Sequence, residues 1–200
     1  MSHPLEYHNF VMAEVDKFES STILDVGVGF GIWGYLMRAL RKPSLLVGID
    51  VNLNYLLASK EHNIYDCLIL ASASSLPFRE RVFDYVLAIE VIEHLPKGGG
   101  ERMLAELERV CRRKIMLTTP NGYLEQHPCV APESEIHKSG WSAEEFRRKG
   151  YKVRGIGLKG TSRLRSRRRL TVYGLLNYLS TLITFFFPEF SEYILAVKTC

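Results

Sequence analysis

The stretch Ile23-Leu24-Asp25-Val26-Gly27-Val28-Gly29-Phe30-Gly31 constrains the fold more than any other part of the chain. It is a short apolar run that enters a turn with glycine at every second position. A helical pattern follows, with Trp33, Leu36, Met37 and Leu40 on one face. Glycine has no Cβ, so the backbone can turn sharply there and approach a ligand closely. A strand, a glycine turn and a helix N-terminus together present backbone N–H groups and the positive end of a helix dipole, a cradle for a nucleotide-type ligand. Two registers fit the same glycines. One is Asp25-x-Gly27-x-Gly29-x-Gly31; the other, Gly29-x-Gly31-x-x-Gly34, is a dinucleotide fingerprint.

The surrounding pattern narrows the fold. After a first helix over about Tyr7–Phe18, strands are expected at Thr22–Val26, Leu45–Ile49, Cys67–Leu70, Phe83–Ile89 and Lys114–Thr119. Helical segments separate most of them, beginning near Ile32, Leu53 and Gly100. Alternation of this kind predicts an α/β fold, a parallel sheet with helices on both faces. Tyr151–Leu158 and Glu192–Thr199 read as further strands, and Ser142–Lys149 as a capped helix. The chain of 200 residues suits one domain and is short for a dinucleotide domain plus a substrate domain. Residues 121–140 form a long loop, the length of a lid or binding loop.

The first register closely resembles the glycine motif of class I S-adenosylmethionine-dependent methyltransferases of the type 11 kind. The resemblance extends over residues 20–160 and resumes in the last strand. It implies a Rossmann-like, doubly wound, seven-stranded sheet, mostly parallel with an antiparallel last strand, and S-adenosyl-L-methionine as cofactor. Its strongest mark is Phe83-Asp84-x-Val86 followed by Glu90-Val91-Ile92-Glu93-His94-Leu95, a strand-four pattern not usual in dinucleotide dehydrogenases.

By this resemblance the cofactor-binding residues are Asp25, Gly27, Val28, Gly29 and Gly31 of the turn, Asp50 and Val51 after the second strand, Ser72-Ala73-Ser74, and Glu90. Asp50 would hold the ribose, because a carboxylate accepts two hydrogen bonds from a vicinal diol. Ser72 stands where relatives carry an aspartate toward the adenine amino group. Methyl transfer chiefly needs alignment and exclusion of water, and a base if the acceptor is a hydroxyl. His94 is the first candidate base and His137 the second, with Glu90 beside them; Tyr123 is a candidate apolar wall, and Trp141 either a second wall or a core residue. Glu90-x-x-Glu93-His94 also resembles the metal pattern of quinone-precursor O-methyltransferases, but many relatives share those letters without a metal, and no metal is assigned.

Eleven of the 26 Lys/Arg and none of the 22 Asp/Glu fall between Arg147 and Arg169. An amphipathic pattern follows, from Val172 to Phe186. Together they read as a basic, helical insertion at about 160–190, which would cap the site, form a homodimer face, or meet an anionic membrane through 163–187. Nucleic acid fits less well, because aromatic residues are not interleaved with the arginines. The acceptor is expected to be a small or lipid-linked molecule. The alternatives are an RNA or protein methyltransferase, a non-catalytic cofactor-binding or membrane-associated protein, and an NAD oxidoreductase. Cys67, Cys111, Cys129 and Cys200 are scattered, which predicts free thiols, buried at Cys67 and Cys111, in a reducing cytoplasm.

Overall fold

The computed structural model describes residues 8–15, 21–124, 135–159 and 183–200. Within them the chain runs α1 (His8–Glu14), β1 (Thr22–Val26), α2 (Ile32–Arg41), β2 (Leu45–Asp50), α3 (Leu53–Glu61), β3 (Cys67–Leu70), β4 (Phe83–Ile89), α4 (Lys97–Val110), β5 (Cys111–Pro120), α5 (Ala143–Arg148), β6 (Lys152–Leu158) and β7 (Ser191–Thr199). Single 3₁₀ turns sit at Ile92–His94 and Pro188–Phe190. Most of the predicted basic and amphipathic insertion, along with Cys129 and residues 125–134 of the long loop, lies outside the described residues.

The seven strands form one sheet in the order β3-β2-β1-β4-β5-β7-β6. β1 to β5 pair in parallel, and β7 runs antiparallel to both β5 and β6. The expected architecture is therefore present, with the antiparallel strand wedged between β5 and β6. β4 is buried along its whole length, as a central strand covered on both faces must be. Successive side chains alternate between two cores. Leu24, Val86 and Leu117 pack with Met103, Leu107 and Phe146 of α4 and α5 on one face. Ile23, Tyr85 and Leu87 pack with Val11, Met37 and Leu56 of α1, α2 and α3 on the other.

Local chemistry fixes the ends of these elements. Thr22 and Asp84 lock β1 to β4: the Thr22 N–H donates to Asp84 Oδ2 at 3.0 Å, and the Asp84 N–H donates to Thr22 Oγ1 at 3.0 Å. Ser142 and Glu145 form a reciprocal capping box at the start of α5. α4 begins at Lys97, so its glycines lie inside the helix and not before it. Gly100 is required there, since a Cβ would sit 2.4 Å from the ring of Trp141.

The cysteines depart from expectation. Cys111 is buried but not free, forming a disulfide with Cys200, and Cys67 is an exposed thiol on the edge strand. The antiparallel pairing of Lys114 with Thr199 brings the start of β5 to the end of β7, with the two cysteine Cα atoms 6.2 Å apart. That pairing depends on how the chain returns to the sheet, which cysteine spacing does not reveal.

Candidate active site

A cavity of about 540 Å³ opens at the carboxyl end of β1, β2 and β4, within the size range of small-molecule sites. One end is built by the glycine turn. Gly27, Gly29 and Gly31 all have positive φ (79°, 49° and 80°), so the alternate glycines serve backbone geometry that other residues rarely adopt. The Gly27 and Val28 N–H groups donate to the Ile49 carbonyl at 2.8 and 3.1 Å, which ties the turn to β2. At Gly29 a Cβ would meet nothing within 4 Å, so the backbone there faces open cavity.

Asp50 ends β2 beside this turn. Its Oδ2 accepts the Gly29 N–H at 3.1 Å and its Oδ1 accepts the Asn52 N–H at 2.8 Å. Burial raises its pKa and these backbone bonds oppose the rise. Each carboxylate oxygen keeps acceptor capacity toward the cavity. Val51 and Ala73 also line this end.

Four of the expected cofactor residues lie off the cavity. Asp25 is 1% exposed and accepts the Tyr65 hydroxyl at 2.6 Å; burial, opposed by that bond, raises its pKa to about 7. The Tyr65 ring fills a slot between α2 and β2, where a Cβ on Gly34 would lie 2.2 Å from it and one on Gly48 2.9 Å from it. The motif's acidic residue thus braces the turn from behind. Gly31 caps α2 and packs against Ser59 and Tyr65. Ser72 and Ser74 share a hydroxyl–hydroxyl bond of 2.9 Å, and only Ala73 between them reaches the cavity.

The other end is built by the β4 and β5 termini. Glu90 follows β4 with φ 57°, in the left-handed region, and its Oε1 accepts the Thr118 hydroxyl at 2.9 Å. That bend turns the chain into the 3₁₀ turn that carries Glu93 and His94. Glu93 is 2% exposed, and neither of its oxygens has a hydrogen bond of sound geometry; its polar neighbours are Thr119 and Glu90. Burial, then the Glu90 charge, holds its carboxyl well above the usual pKa range.

His94 and His137 lie with ring centroids 5.1 Å apart. Burial, then the neighbouring His137, pushes His94 down to about 4, and its Nδ1 is buried without a partner. His137 is also lowered by burial. Its Nδ1 lies 2.8 Å from the Leu124 carbonyl, so that nitrogen carries the proton and Nε2 the lone pair. Lys138 and Ser139 donate backbone N–H groups to the Glu93 carbonyl at 2.7 and 3.1 Å, which fastens the later part of the long loop over the site. One ligand atom each from Glu93, His94 and His137 lie within 4.8 Å of one another, a set able to hold a cation.

The cavity brings together Gly27, Val28, Gly29, Asp50, Val51, Ala73, Glu90, His94 and His137 of the expected set. Neither proposed wall lines it: Trp141 is fully buried core and Tyr123 is exposed outside. The aromatic lining comes instead from Phe30, Trp33, Tyr55 and Tyr193. Phe30 was visible between two glycines of the turn. Tyr55 and Tyr193 carry no local signal, because only the sheet order and α3 bring them there.

Comparison with known proteins places these residues in a family context. Residues 24–117 match the family model described as "Methyltransferase domain". An uncharacterized protein of Methanocaldococcus jannaschii is 26% identical over 144 residues, covering 68% of this chain and 59% of that protein. The phthiotriol/phenolphthiotriol dimycocerosates methyltransferase 1 of Mycobacterium ulcerans is 33% identical over 131 residues, covering 64% of this chain and 44% of that protein. This chain therefore spans about half the length of these curated relatives. Among solved structures, an S-adenosylmethionine dependent methyltransferase from Mesorhizobium loti superposes with a TM-score of 0.65 at 11% identity, covering 98% of both chains.

Proposed function

Residues 24–117 belong to the methyltransferase-domain family of class I S-adenosylmethionine-dependent proteins, and from that premise we propose that this chain transfers a methyl group to a small or lipid-linked acceptor. The observation that carries the reading is the single cavity joining the Gly27–Gly29 turn and Asp50 to Glu90, His94 and His137. The bound cofactor supplies an activated methyl group on its sulfonium.

The residues of this chain do the rest. The N–H-rich turn and the start of α2 receive an anionic carboxylate end. Asp50 accepts from a ribose diol with the lone pairs that Gly29 and Asn52 leave over. The backbone of Ala73 borders the base pocket in place of Ser72. Phe30 and Tyr55 pack edge to face at 4.9 Å and wall the cofactor end.

For a hydroxyl acceptor, His137 is the better proton acceptor: its Nε2 holds the lone pair, whereas the Nδ1 of His94 is sealed in protein. His94 packs beside it as a neutral ring. Glu90 stands between the two ends, where it borders both cofactor and acceptor. A lipid-linked acceptor is supported by the name of the mycobacterial relative and by the apolar lining of the cavity.

Calorimetry with S-adenosylhomocysteine and with NAD tests the cofactor assignment. Binding of S-adenosylhomocysteine alone is expected; binding of NAD alone would remove the proposal.

A further inference from the structure

Three donor side chains converge at the β4–β5 end of the cavity. One ligand atom each from Glu93, His94 and His137 lies within 4.8 Å of the other two, and among the described residues no other three His, Cys, Asp or Glu do so. The group is buried, unlike the acidic clusters common on protein surfaces: Glu93 is 2% and His137 7% exposed. Neither oxygen of Glu93 nor the Nδ1 of His94 makes a well-formed hydrogen bond among the described residues. Buried polar atoms are nearly always partnered, so atoms left in this state call for a ligand. All three side chains line the cavity, which gives a small ligand a route to them.

The fold holds the three in place by its own bonds. Glu93 and His94 sit on the 3₁₀ turn just after Glu90, whose φ of 57° bends the chain at the end of β4. His137 comes from beyond α4 and β5, and the residues after it are fastened. Lys138 and Ser139 donate backbone N–H groups to the Glu93 carbonyl at 2.7 and 3.1 Å. Trp141 Nε1 donates to Ser139 Oγ at 3.0 Å, and Lys97 Nζ to the Gly140 carbonyl at 2.8 Å. The Nδ1–H of His137 goes to the Leu124 carbonyl at 2.8 Å, the kind of bond that orients a ligating imidazole through its other nitrogen. The set is not the one that the Glu90-x-x-Glu93-His94 spacing offers. Glu90 falls outside the group, its Oε1 accepting the Thr118 hydroxyl, and His137 supplies the third donor.

Charge and donor type identify the ligand. Asp50, Glu90, Glu93 and Glu135 line the cavity, and Lys138, whose side chain is exposed, is the only Lys or Arg among the described lining residues. A lining of this balance attracts cations. Two imidazoles and one carboxylate suit divalent first-row transition ions, whereas Mg2+ and Ca2+ prefer oxygen donors throughout.

We propose that Glu93, His94 and His137 form a binding site for a divalent first-row transition ion, with one carboxylate oxygen and one nitrogen of each ring as ligands. Cation binding itself does not require methyl transfer. If the proposed function holds, the ion stands at the acceptor end, and the His137 nitrogen that accepts a proton in the ion-free site is then a ligand.

The test uses the full chain, stripped with a chelator and carrying Cys67→Ser so that the exposed thiol cannot compete for metal. Zn2+ and Mg2+ are titrated by calorimetry and Co2+ by its visible absorption. One Zn2+ or Co2+ per chain is expected, bound at least about tenfold more tightly than Mg2+. Glu93→Gln and His137→Gln should each weaken Zn2+ binding at least about tenfold, while His62→Gln, at an exposed position after α3, should leave it unchanged. If Glu93→Gln loses its fold by circular dichroism, His137→Gln alone decides. No uptake by the parent, equal uptake by the parent and His137→Gln, or Mg2+ binding as tight as Zn2+ overturns the proposal. S-adenosylhomocysteine binding without cation uptake removes only the cation site. Cation uptake lost in His137→Gln, by a chain that does not bind S-adenosylhomocysteine, upholds the site and removes the methyltransferase reading.

Discussion

The two ends of the cavity satisfy their polar groups in opposite ways. At the β1–β2 end each buried acid has a donor: Asp25 takes the Tyr65 hydroxyl, and Asp50 takes two backbone N–H groups. At the β4–β5 end the Glu93 carboxyl, the Nδ1 of His94 and the Thr119 hydroxyl are buried without a well-formed hydrogen bond among the described residues. An unmet buried polar group costs about 1–3 kcal/mol. The β1–β2 end, the cofactor end on the proposed function, is thus braced by the chain's own donors. At the β4–β5 end burial works against every charged form, raising the Glu93 carboxyl and lowering both imidazoles.

This contrast makes opposite demands on pH. The pKa of Asp25 is raised from 3.8 to about 7, so the folded state keeps a proton that the unfolded chain loses near pH 4. Its contribution to stability is full below about pH 4 and is lost as pH rises to 7, a change of about 4 kcal/mol at 1.36 kcal/mol per unit. Asp25→Asn retains an acceptor for Tyr65 and removes the titration. Urea denaturation should show the variant gaining about 4 kcal/mol on the parent between pH 4 and pH 8. Parallel stability curves would show that Asp25 is ionised in the fold, and the contrast would fail at the cofactor end.

His94 works the other way. Its pKa falls from 6.5 to about 4, so the unfolded chain takes up a proton first as pH drops. Stability is full above about pH 6.5 and declines toward pH 4, by about 2 kcal/mol once its partial exposure is allowed for. His94→Asn should therefore gain on the parent as the solution is acidified, in the same denaturation series. Between pH 4 and 6.5 the two slopes oppose each other, so the parent curve should be flatter than that of either variant. An equally sloped His94→Asn curve would mean that the ring is solvated, and the acceptor end would lose its dry character.

How much of this was legible in the sequence follows from the range of each interaction. Alternating strands and helices, the three positive-φ glycines and Asp50 at the end of β2 depend on neighbours within a few residues, and all could be read locally. The acidic residue of the glycine motif could be located but not assigned its partner: Tyr65 is 40 residues away and reaches Asp25 only through a slot that Gly34 and Gly48 leave open. For Trp141 the sequence left site wall and core open, and Gly100 on α4 decides for the core by making a place for the ring there. Cys200 pairs with Cys111 across 89 residues for a similar reason, since β7 must first insert between β5 and β6. Ser72 stands where the resemblance places an aspartate, and the Ser74 hydroxyl engages its side chain.

Asp50 offers the smallest effect and the sharpest separation of bracing from binding. It does both at once: it holds the Gly29 N–H in place and, on the proposed function, accepts from the ribose. Asp50→Ala removes both roles and should weaken S-adenosylhomocysteine binding at least tenfold, or about 1.4 kcal/mol, by calorimetry. Asp50→Asn separates them. The amide oxygen still accepts from one backbone N–H, so the turn keeps most of its support, but the amide nitrogen now faces a diol hydroxyl as a donor. If Asp50 chiefly braces the glycine turn, Asn should restore most of the lost affinity. If it binds the ribose through two acceptor oxygens, Asn should remain nearly as weak as Ala, and that is the expected result. Unchanged affinity in both variants would remove Asp50 from the site and leave the cofactor end defined by backbone alone.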